Sequence, residues 1–233
     1  MSFEINIHSI QAQVLMALLF KRKARFSELN SDKIPTDHFT FHLKQLVNQA
    51  LVKKIGNGKY CLTNQGKEFA NRFDTERAKF EKQAKIGVVV CGVKLANGVR
   101  KYLVQQRLKQ PFYGYYGFVS GKIRFGETVS ETAVREFQEE TGLTGQFSLT
   151  GIEHKMDFSE KGELLEDKFF FIFRVKKPLG KLVKSFAGGR NQWLAKKEIE
   201  KLDKRFGDVM AIIKVLEQRK FTFWENKFIV SGF

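Results

Sequence analysis

The chain has few cysteines and prolines and lacks a long apolar run. Its 233 residues include two cysteines and three prolines. Cys61 and Cys91 lie far apart in strand-like runs, which argues against a disulfide framework or a cysteine metal site, and we interpret both as small buried hydrophobes. The apolar run over residues 14–20 is too short to span a membrane, and the N-terminus lacks the layout of a secretory signal. We therefore expect a cytoplasmic protein without a membrane partner.

Basic residues outnumber acidic residues in this chain. The chain contains 41 Lys and Arg against 25 Asp and Glu, a formal net charge of +16. Such an excess favours a polyanionic partner, either nucleic acid or a phosphorylated small molecule, although a highly soluble surface is the alternative. Residues 1–85 contain 15 basic and 8 acidic residues, and residues 86–233 contain 26 and 17. The charge therefore does not indicate which part of the chain binds the partner.

A charged, helix-prone stretch over residues 75–85 separates two parts of the chain. It is followed at residues 86–93 by a near-continuous β-branched run, which is typical of a strand buried on both faces. We therefore predict two domains, residues 1–80 and residues 86–233.

The N-terminal part predicts mostly helices with one hairpin. Its predicted elements are helices over residues 10–20 and 27–30, a helix opened by Pro35 and Thr36, strands over residues 51–55 and 59–62, and a closing helix from residue 63 to about residue 85. A Gly-Asn-Gly turn joins the two strands. The residues predicted on the core face of the third helix are Phe39, Leu43, Leu46 and Val47.

This order resembles the winged helix-turn-helix domains of bacterial and archaeal regulators. The resemblance rests on Phe41-His-Leu-Lys-Gln-Leu-Val, Gly58-Lys-Tyr and Gly66-Lys-Glu. It implies that the third helix enters the DNA major groove and that the hairpin contacts the phosphates. The nucleic-acid-binding residues it implies are His38, His42, Lys44 and Gln45 on the helix and Lys53, Lys54 and Lys59 on the hairpin. Winged helices also serve as interaction modules, so a protein partner or a homodimer is the alternative.

His38 and His42 are four residues apart on the predicted third helix, a spacing that can hold Zn²⁺. Phe39 follows the first histidine where zinc proteases have a glutamate, and the sequence offers no third ligand nearby. We therefore interpret the pair as exposed helix histidines and not as a metal site.

Residues 121–143 contain the start and stop signals of a helix. Thr128 or Ser130 can cap its N-terminus, and Gly142 can end it. The residues expected to pack inward from this helix are Ala133, Val134 and Phe137.

Three carboxylates share one face of that helix. Glu136, Glu139 and Glu140 are spaced at i, i+3 and i+4. Carboxylates on one stripe repel one another, so a compensating cation is expected, and their oxygens suit Mg²⁺ or Mn²⁺. A solvated acidic face is the alternative, although an acidic cluster is unexpected in so basic a chain.

The full pattern is Gly121, five residues, Glu127, seven residues, Arg135-Glu136, an apolar residue, any residue, Glu139-Glu140, any residue, Gly142 and an apolar residue. Seven fixed identities at fixed spacing would arise by chance about once in 10⁹ starting positions. The pattern resembles the complete signature of the Nudix hydrolases, and the resemblance extends over about residues 86–220. Val119-Ser120 departs from the Pro-Gly that many relatives have there.

The resemblance implies an α/β fold, an αβα sandwich with a mixed sheet, here preceded by a small winged helix-turn-helix domain. It implies that Glu136, Glu139 and Glu140 are catalytic and hold Mg²⁺, or Mn²⁺, with the carbonyl of Gly121. It also implies structural roles for Glu127, Arg135 and Gly142, with Arg135 orienting the glutamates. Candidates for binding the substrate phosphates are Arg107, Lys122 and Arg124. A further acid is left open among Glu153, Glu163, Glu166 and Asp167.

We therefore expect a Mg²⁺-dependent hydrolase that cleaves the diphosphate linkage of a nucleoside diphosphate-linked substrate. The family's markers for ADP-ribose, a downstream proline, and for dinucleoside polyphosphates, a downstream tyrosine, are absent, which leaves nucleoside triphosphates, unusual sugar nucleotides or another substrate. Aromatic residues that can stack on a base, or simply fill the core, are Phe112, Tyr113, Tyr115 and Phe118. The alternatives are a nucleotide-sensing transcriptional regulator that binds DNA and a hydrolase that acts on RNA 5′ ends.

Overall fold

The structure, a computed structural model, describes residues 7–74, 79–80, 83–218 and 220–231. The chain divides into two units, Met1–Lys82 and Gln83–Phe233. Each unit has hydrophobic core residues of its own. Within the described ranges, no helix has the length and apolar character needed to cross a membrane.

The N-terminal unit packs helices against a small antiparallel sheet of order β1-β3-β2. Its elements are α1 (Ser9–Phe20), β1 (Ala24–Arg25), α2 (Phe26–Leu29), α3 (Thr36–Asn48), β2 (Val52–Ile55), β3 (Lys59–Leu62), α4 (Asn64–Ala70), β4 (Phe73–Asp74) and β5 (Lys79–Phe80). Asn57 and Gly58 both adopt a positive φ between β2 and β3, a conformation that glycine and asparagine favour. The predicted hairpin is confirmed.

The buried face of α3 differs from the predicted one. Phe39, Leu43 and Leu46 are buried as expected, but Val47 is 37% exposed and His42 is only 6% exposed. The reason is helical geometry: positions 39, 42, 43 and 46 fall within one narrow stripe, whereas Val47 lies at the edge of that stripe. The expectation that His42 is exposed is therefore wrong.

The closing helix is shorter than predicted. It was expected to run from residue 63 to about residue 85, but α4 ends at Ala70 and Phe73 begins the short strand β4, which pairs with β5. Phe69, Ala70 and Phe73 are all buried. The helix therefore ends at a point where these side chains pack in the hydrophobic core. Residues 75–78 and 81–82, which belong to the predicted helix, lie outside the described residues.

The C-terminal unit contains a mixed sheet that the described residues build from nine strands, in the order β12-β13-β7-β6-β11-β10-β14, with β8 on β7 and β9 on β6. β6 is parallel to β11 and β10 is parallel to β14, while the other pairs are antiparallel. Its strands are β6 (Lys85–Ala96), β7 (Val99–Arg107), β8 (Tyr116–Gly117), β9 (Val119–Lys122), β10 (Leu143–Phe158), β11 (Leu164–Gly180), β12 (Ser185–Phe186), β13 (Gly189–Ala195) and β14 (Thr222–Ile229). Its helices are α5 (Val129–Thr141), α6 (Lys196–Glu200) and α7 (Val209–Glu217).

Helices cover both faces of this sheet. Val88 and Val90 of β6 pack in the core that contains Phe137 of α5, whereas Val89 and Cys91 pack in the core that contains α6 and α7. Successive side chains of a strand point to opposite faces, so the β-branched run is apolar because both of its faces are covered. The predicted mixed sheet between helices is confirmed.

The caps of α5 fix where its acidic face begins and ends. Thr128 is the N-cap: its hydroxyl accepts from Glu131 N at 3.2 Å, and the Glu131 carboxylate accepts from Thr128 N at 2.9 Å. Gly142 ends the helix with a φ of 70°, and a Cβ there would lie 2.8 Å from the carbonyl oxygen of Lys181. Phe137 packs inward as predicted, but Val134 is exposed.

The loop before α5 is tied to the helix by an ion pair. Arg135 Nε lies 2.6 Å from Glu127 Oε1, and Arg135 Nη2 lies 2.8 Å from Glu127 Oε2. Glu127 also accepts from the Thr132 hydroxyl and from the backbone N–H of Arg124. The hydrogen bond from Arg135 is the main cause that lowers the pKa of Glu127 to about 2. A carboxylate whose pKa is lower in the folded state stabilises the fold above its unfolded pKa, and this contribution is lost as the pH falls through the folded pKa.

We predict that Glu127→Gln lowers the urea midpoint of unfolding at pH 7, because a neutral amide replaces one partner of the ion pair. The difference from the wild type should persist down to about pH 4.5, near the unfolded pKa of a glutamate. It should then shrink towards pH 2, because the wild-type carboxylate itself becomes protonated. Glu160→Gln, at an exposed position, is the control. A difference that does not vary with pH would contradict the electrostatic origin.

Candidate functional site

The three glutamates of α5 that were predicted to hold the metal are exposed to different degrees. The Glu136 side chain is 14% exposed and that of Glu139 is 51% exposed. Glu136 and Glu140 line a cavity of this unit, and Glu139 is not among the residues that line it. The structure therefore brings two of the three predicted carboxylates to the cavity and leaves the third more open to solvent.

Arg135 balances the charge of this acidic face. Its Nη1 lies 2.6 Å from Glu136 Oε1 and 3.3 Å from Glu139 Oε2, while the rest of its guanidinium holds Glu127. One guanidinium therefore contacts three carboxylates, which matches the orienting role that the signature implies.

Gly121 leaves the space that the Glu136 carboxylate occupies. Gly121 lies in β9 opposite Val88, and a Cβ added to it would lie 1.9 Å from Glu136 Cδ and 2.2 Å from Glu136 Oε1. Any side chain at this position would displace the carboxylate. Backbone carbonyl and carboxylate oxygens are the donors that a hard divalent cation prefers, so Gly121, Glu136, Glu139 and Glu140 fit Mg²⁺ or Mn²⁺.

Two residues that the sequence did not single out hold Glu140. Gln105 Nε2 donates to Glu140 Oε2 at 3.0 Å, and Asn191 Nδ2 donates to the Glu140 carbonyl at 2.7 Å. Burial is the main cause that raises the pKa of Glu140, and the carboxylate of Glu136 raises it as well. A bound cation would relieve both effects, because it favours the ionised carboxylate.

The cavity beside these residues has a volume of about 650 Å³, within the usual range of ligand sites. The three predicted phosphate-binding residues, Arg107, Lys122 and Arg124, all line it. It is also lined by four lysines that the sequence analysis did not assign to the site: Lys85, Lys109, Lys155 and Lys168. Cationic side chains therefore surround the carboxylates, an arrangement that suits a polyanionic ligand.

Arg107 also shapes the loop that borders the cavity. Its guanidinium donates to the carbonyls of Lys109, Gln110 and Pro111 at 2.6–3.1 Å. Burial lowers the pKa of this guanidinium. Several of its donors are therefore directed at the protein backbone, a role that the sequence did not predict.

A cluster of buried charges forms another part of the cavity wall. Lys155 of β10 lies 2.9 Å from Asp208, the residue before α7, and its ammonium stands 4.9 Å from the ring centroid of Phe206. Lys168 of β11 pairs with Asp157 at 3.1 Å and with Glu166. Lys155 and Asp208 are 53 residues apart in sequence, so no local motif could have revealed that pair.

The four acids left open outside the signature have different environments. Glu166 lines the cavity and pairs with Lys85 at 2.7 Å. Glu153 is buried and accepts from Trp224 and Asn226, and burial, followed by the nearby Asp208, raises its pKa to about 7. Asp167 lies 2.9 Å from His154 Nε2, and Glu163 is exposed. Glu166 is thus the one of the four that shares the cavity with Glu136 and Glu140.

The predicted aromatic residues divide into two pairs. Phe112 and Phe118 line the cavity, together with Phe170 and Phe206. Tyr113 is exposed, and the Tyr115 hydroxyl donates to the carbonyl of Ser231 at 2.6 Å. Only the phenylalanines are therefore placed to contact a ligand in this cavity.

In the N-terminal unit, the residues predicted to bind nucleic acid do not form one uniform surface. His38, Lys44, Lys53 and Lys54 are exposed, whereas Gln45 and Lys59 are half-buried. Gln45 accepts from Gln11 Nε2 at 2.7 Å. His42 is buried, so its ring cannot reach a base edge as expected.

A curated protein is similar to part of this chain. Over 70 residues the chain is 37% identical to a curated protein of Methanocaldococcus jannaschii named ADP-ribose pyrophosphatase, a match that covers 30% of this chain and 41% of that protein. This chain therefore matches about two-fifths of the length of that relative.

Solved structures share the fold of the C-terminal unit. A MutT protein from Bacillus halodurans is 24% identical with a TM-score of 0.52, covering 62% of this chain and 90% of that chain. The NUDIX domain of Shewanella oneidensis NrtR, solved with ADP ribose, is 16% identical with a TM-score of 0.53, covering 68% and 99%. The family model of the NUDIX domain matches residues 85–216, more than half of the chain. On this match and on the complete signature it contains, the chain belongs to the NUDIX domain family.

Proposed function

We propose that this chain is a Mg²⁺-dependent pyrophosphohydrolase that cleaves the diphosphate linkage of a nucleoside diphosphate derivative. The observation that carries this proposal is the meeting of Glu136, Glu140 and the Gly121 backbone in one cavity that basic side chains also line. Hydrolysis of a phosphoanhydride is helped by a hard cation and by cationic side chains. The oxygen donors of this cavity suit the cation, and its basic side chains suit the phosphates.

The metal ligands in this proposal are Glu136, Glu139, Glu140 and the carbonyl of Gly121. When bound there, Mg²⁺ shields the phosphate charges and makes water a stronger nucleophile. Mn²⁺ has the same preference for oxygen and is expected to substitute for it.

The chain's own residues then position the reacting groups. Arg135 holds Glu136 against β9, and Gln105 fixes Glu140 through a hydrogen bond to Oε2. These carboxylates are placed to accept a proton from a water that attacks phosphorus. Lys122 and Arg124 are expected to bind the phosphate oxygens as charge-assisted donors.

The aromatic residues that line the cavity suit a nucleoside. Phe112, Phe118, Phe170 and Phe206 line the cavity together with the Lys155–Asp208 pair, so an aromatic base would meet both apolar and polar groups there. The relative from Methanocaldococcus jannaschii carries the name ADP-ribose pyrophosphatase, which makes ADP-ribose the first substrate to test. The chain lacks a proline between Pro111 and Pro178, so nucleoside triphosphates and sugar nucleotides belong on the same panel.

We predict that Glu140→Gln lowers kcat/KM by at least about 100-fold on the best substrate, because a neutral amide can neither accept the proton nor offset the metal charge. The measurement is chromatographic detection of the nucleotide products, such as AMP from ADP-ribose, with ADP-ribose, nucleoside triphosphates and sugar nucleotides as substrates, in Mg²⁺ and in EDTA. Glu160→Gln is the control and should retain wild-type activity. Metal-independent release, or full activity of Glu140→Gln, would overturn the proposed role.

A second prediction concerns the backbone beneath Glu136. Gly121→Ala should lower kcat/KM by about 100-fold, because the new methyl group must displace the carboxylate and misplacement by about 1 Å has an effect of that size. Gly56→Ala is the matched control, since a Cβ there meets nothing within 4 Å. If both variants retain wild-type kinetics, the close approach of Glu136 to Gly121 is not required for catalysis.

A further proposal is that the N-terminal unit is a winged helix-turn-helix module that binds nucleic acid, with the C-terminal unit as catalytic or nucleotide-sensing partner. Its support is the order of elements, with α3 followed by the hairpin β2–β3 and α4. Lys44 on α3 and Lys53 and Lys54 on β2 are exposed and available to phosphates.

Duplex DNA and RNA binding measured against salt concentration tests this proposal. Each lysine that contacts a phosphate contributes about one unit to the slope of log K against log salt, so Lys53→Gln/Lys54→Gln should reduce the slope by about two. Lys67→Gln, on α4, should leave the slope unchanged. No measurable binding of either duplex, or equal slopes in all variants, would assign the unit to another partner.

A further inference from the structure

We propose that the N-terminal unit binds one late first-row divalent cation, of which Zn²⁺ is the probe, through His8, His38 and His42. One nitrogen from each of these three rings lies within 4.8 Å of the other two. This site is separate from the glutamates of α5, and it uses nitrogen in place of oxygen donors.

Two elements bring the three rings together. His38 and His42 are one turn apart on α3, and His8 is the N-cap of α1. The backbone N–H of His8 donates to Gln11 Oε1 at 3.0 Å, and Gln11 Nε2 donates to Gln45 Oε1 of α3 at 2.7 Å. Gln11 thus fixes the start of α1 against α3, so the third histidine that the sequence did not reveal is held in place by the fold.

The distances within the cluster fit shared coordination. His42 Nε2 lies 3.2 Å from His38 Nε2. Two imidazole nitrogens on one tetrahedral Zn²⁺ lie about 3.3 Å apart, because each Zn–N bond is about 2.0 Å long. The His8 ring stacks on the His42 ring with centroids 4.1 Å apart. Its Nδ1 accepts from Ile10 N at 3.3 Å as the cap of α1, which leaves Nε2 for a cation.

His42 is the least usual member of the cluster. Its side chain is almost fully buried, and its Nδ1 has no hydrogen-bond partner within the described part of the chain. Its other nitrogen faces His38, the arrangement that a metal-binding ring requires.

The donor set selects the class of cation. The cluster consists of imidazoles alone, which suit Zn²⁺, Ni²⁺ and Cu²⁺ far better than Mg²⁺. A neutral imidazole ring is the form that binds a metal. With three protein ligands, the cation keeps a position for water or for a fourth donor.

Isothermal titration of the full chain with Zn²⁺ in excess Mg²⁺ tests the site, because Mg²⁺ occupies the oxygen ligands of the C-terminal unit. The informative variants are His38→Gln and His8→Asn, both at exposed positions, and asparagine preserves the cap of α1. His42 is left intact because it belongs to the core. The control is His154→Gln, which removes the one histidine outside the cluster.

We expect the wild type and His154→Gln to bind one Zn²⁺ per chain with equal affinity. His38→Gln and His8→Asn should each bind at least about tenfold more weakly, since even an indirect disturbance of a metal ligand has an effect of that size. Zn²⁺ should also raise the melting temperature of the wild type more than that of either variant. Absence of Zn²⁺ binding, or equal affinity in all four proteins, would overturn the site.

Discussion

Arg135 makes the candidate active site physically possible. Three carboxylates on one helical face repel one another, and a guanidinium that contacts Glu127, Glu136 and Glu139 offsets much of that repulsion. The same contacts tie the preceding loop to α5, so local stability and the geometry of the carboxylates depend on one side chain. The carboxylates that Arg135 contacts do not include Glu140, so in the proposed centre a cation would balance the charge of Glu140.

The sheet determines what surrounds these carboxylates. β9 brings Gly121 under Glu136, and β7 brings Gln105 to Glu140. The inward side of β10 adds Lys155 to the cavity wall. A charge so deeply buried is tolerated because Asp208 pairs with it and aromatic rings face it. Residues from distant strands thus meet beside one helix, which gives the cavity both cationic and aromatic walls.

Short-range sequence patterns predicted the individual helices and turns of this structure that depend on neighbouring residues. The helix around Glu136, its caps at Thr128 and Gly142, and the hairpin with its Gly-Asn-Gly turn all follow from short-range chemistry. The end of α4 at Ala70 does not follow from helical propensity, because Phe69, Ala70 and Phe73 are buried and their burial depends on tertiary packing.

Contacts between residues that are far apart in sequence cannot be predicted from residue spacing. Nothing in the sequence links Lys155 to Asp208, or His8 to the histidines of α3. The exposure of His42 was misjudged for the same reason, since the position of a helical face depends on what packs against it.

Anomalous diffraction from crystals grown with Mn²⁺ would test most directly whether the acidic face of α5 is a metal centre. The expected result is a strong peak within coordination distance of the Glu136 and Glu140 carboxylates and of the Gly121 carbonyl. In Glu140→Gln crystals that peak should weaken or vanish. Ordered Mn²⁺ bound at other carboxylates, with no peak at these three residues, would contradict the proposed centre and the hydrolysis that depends on it.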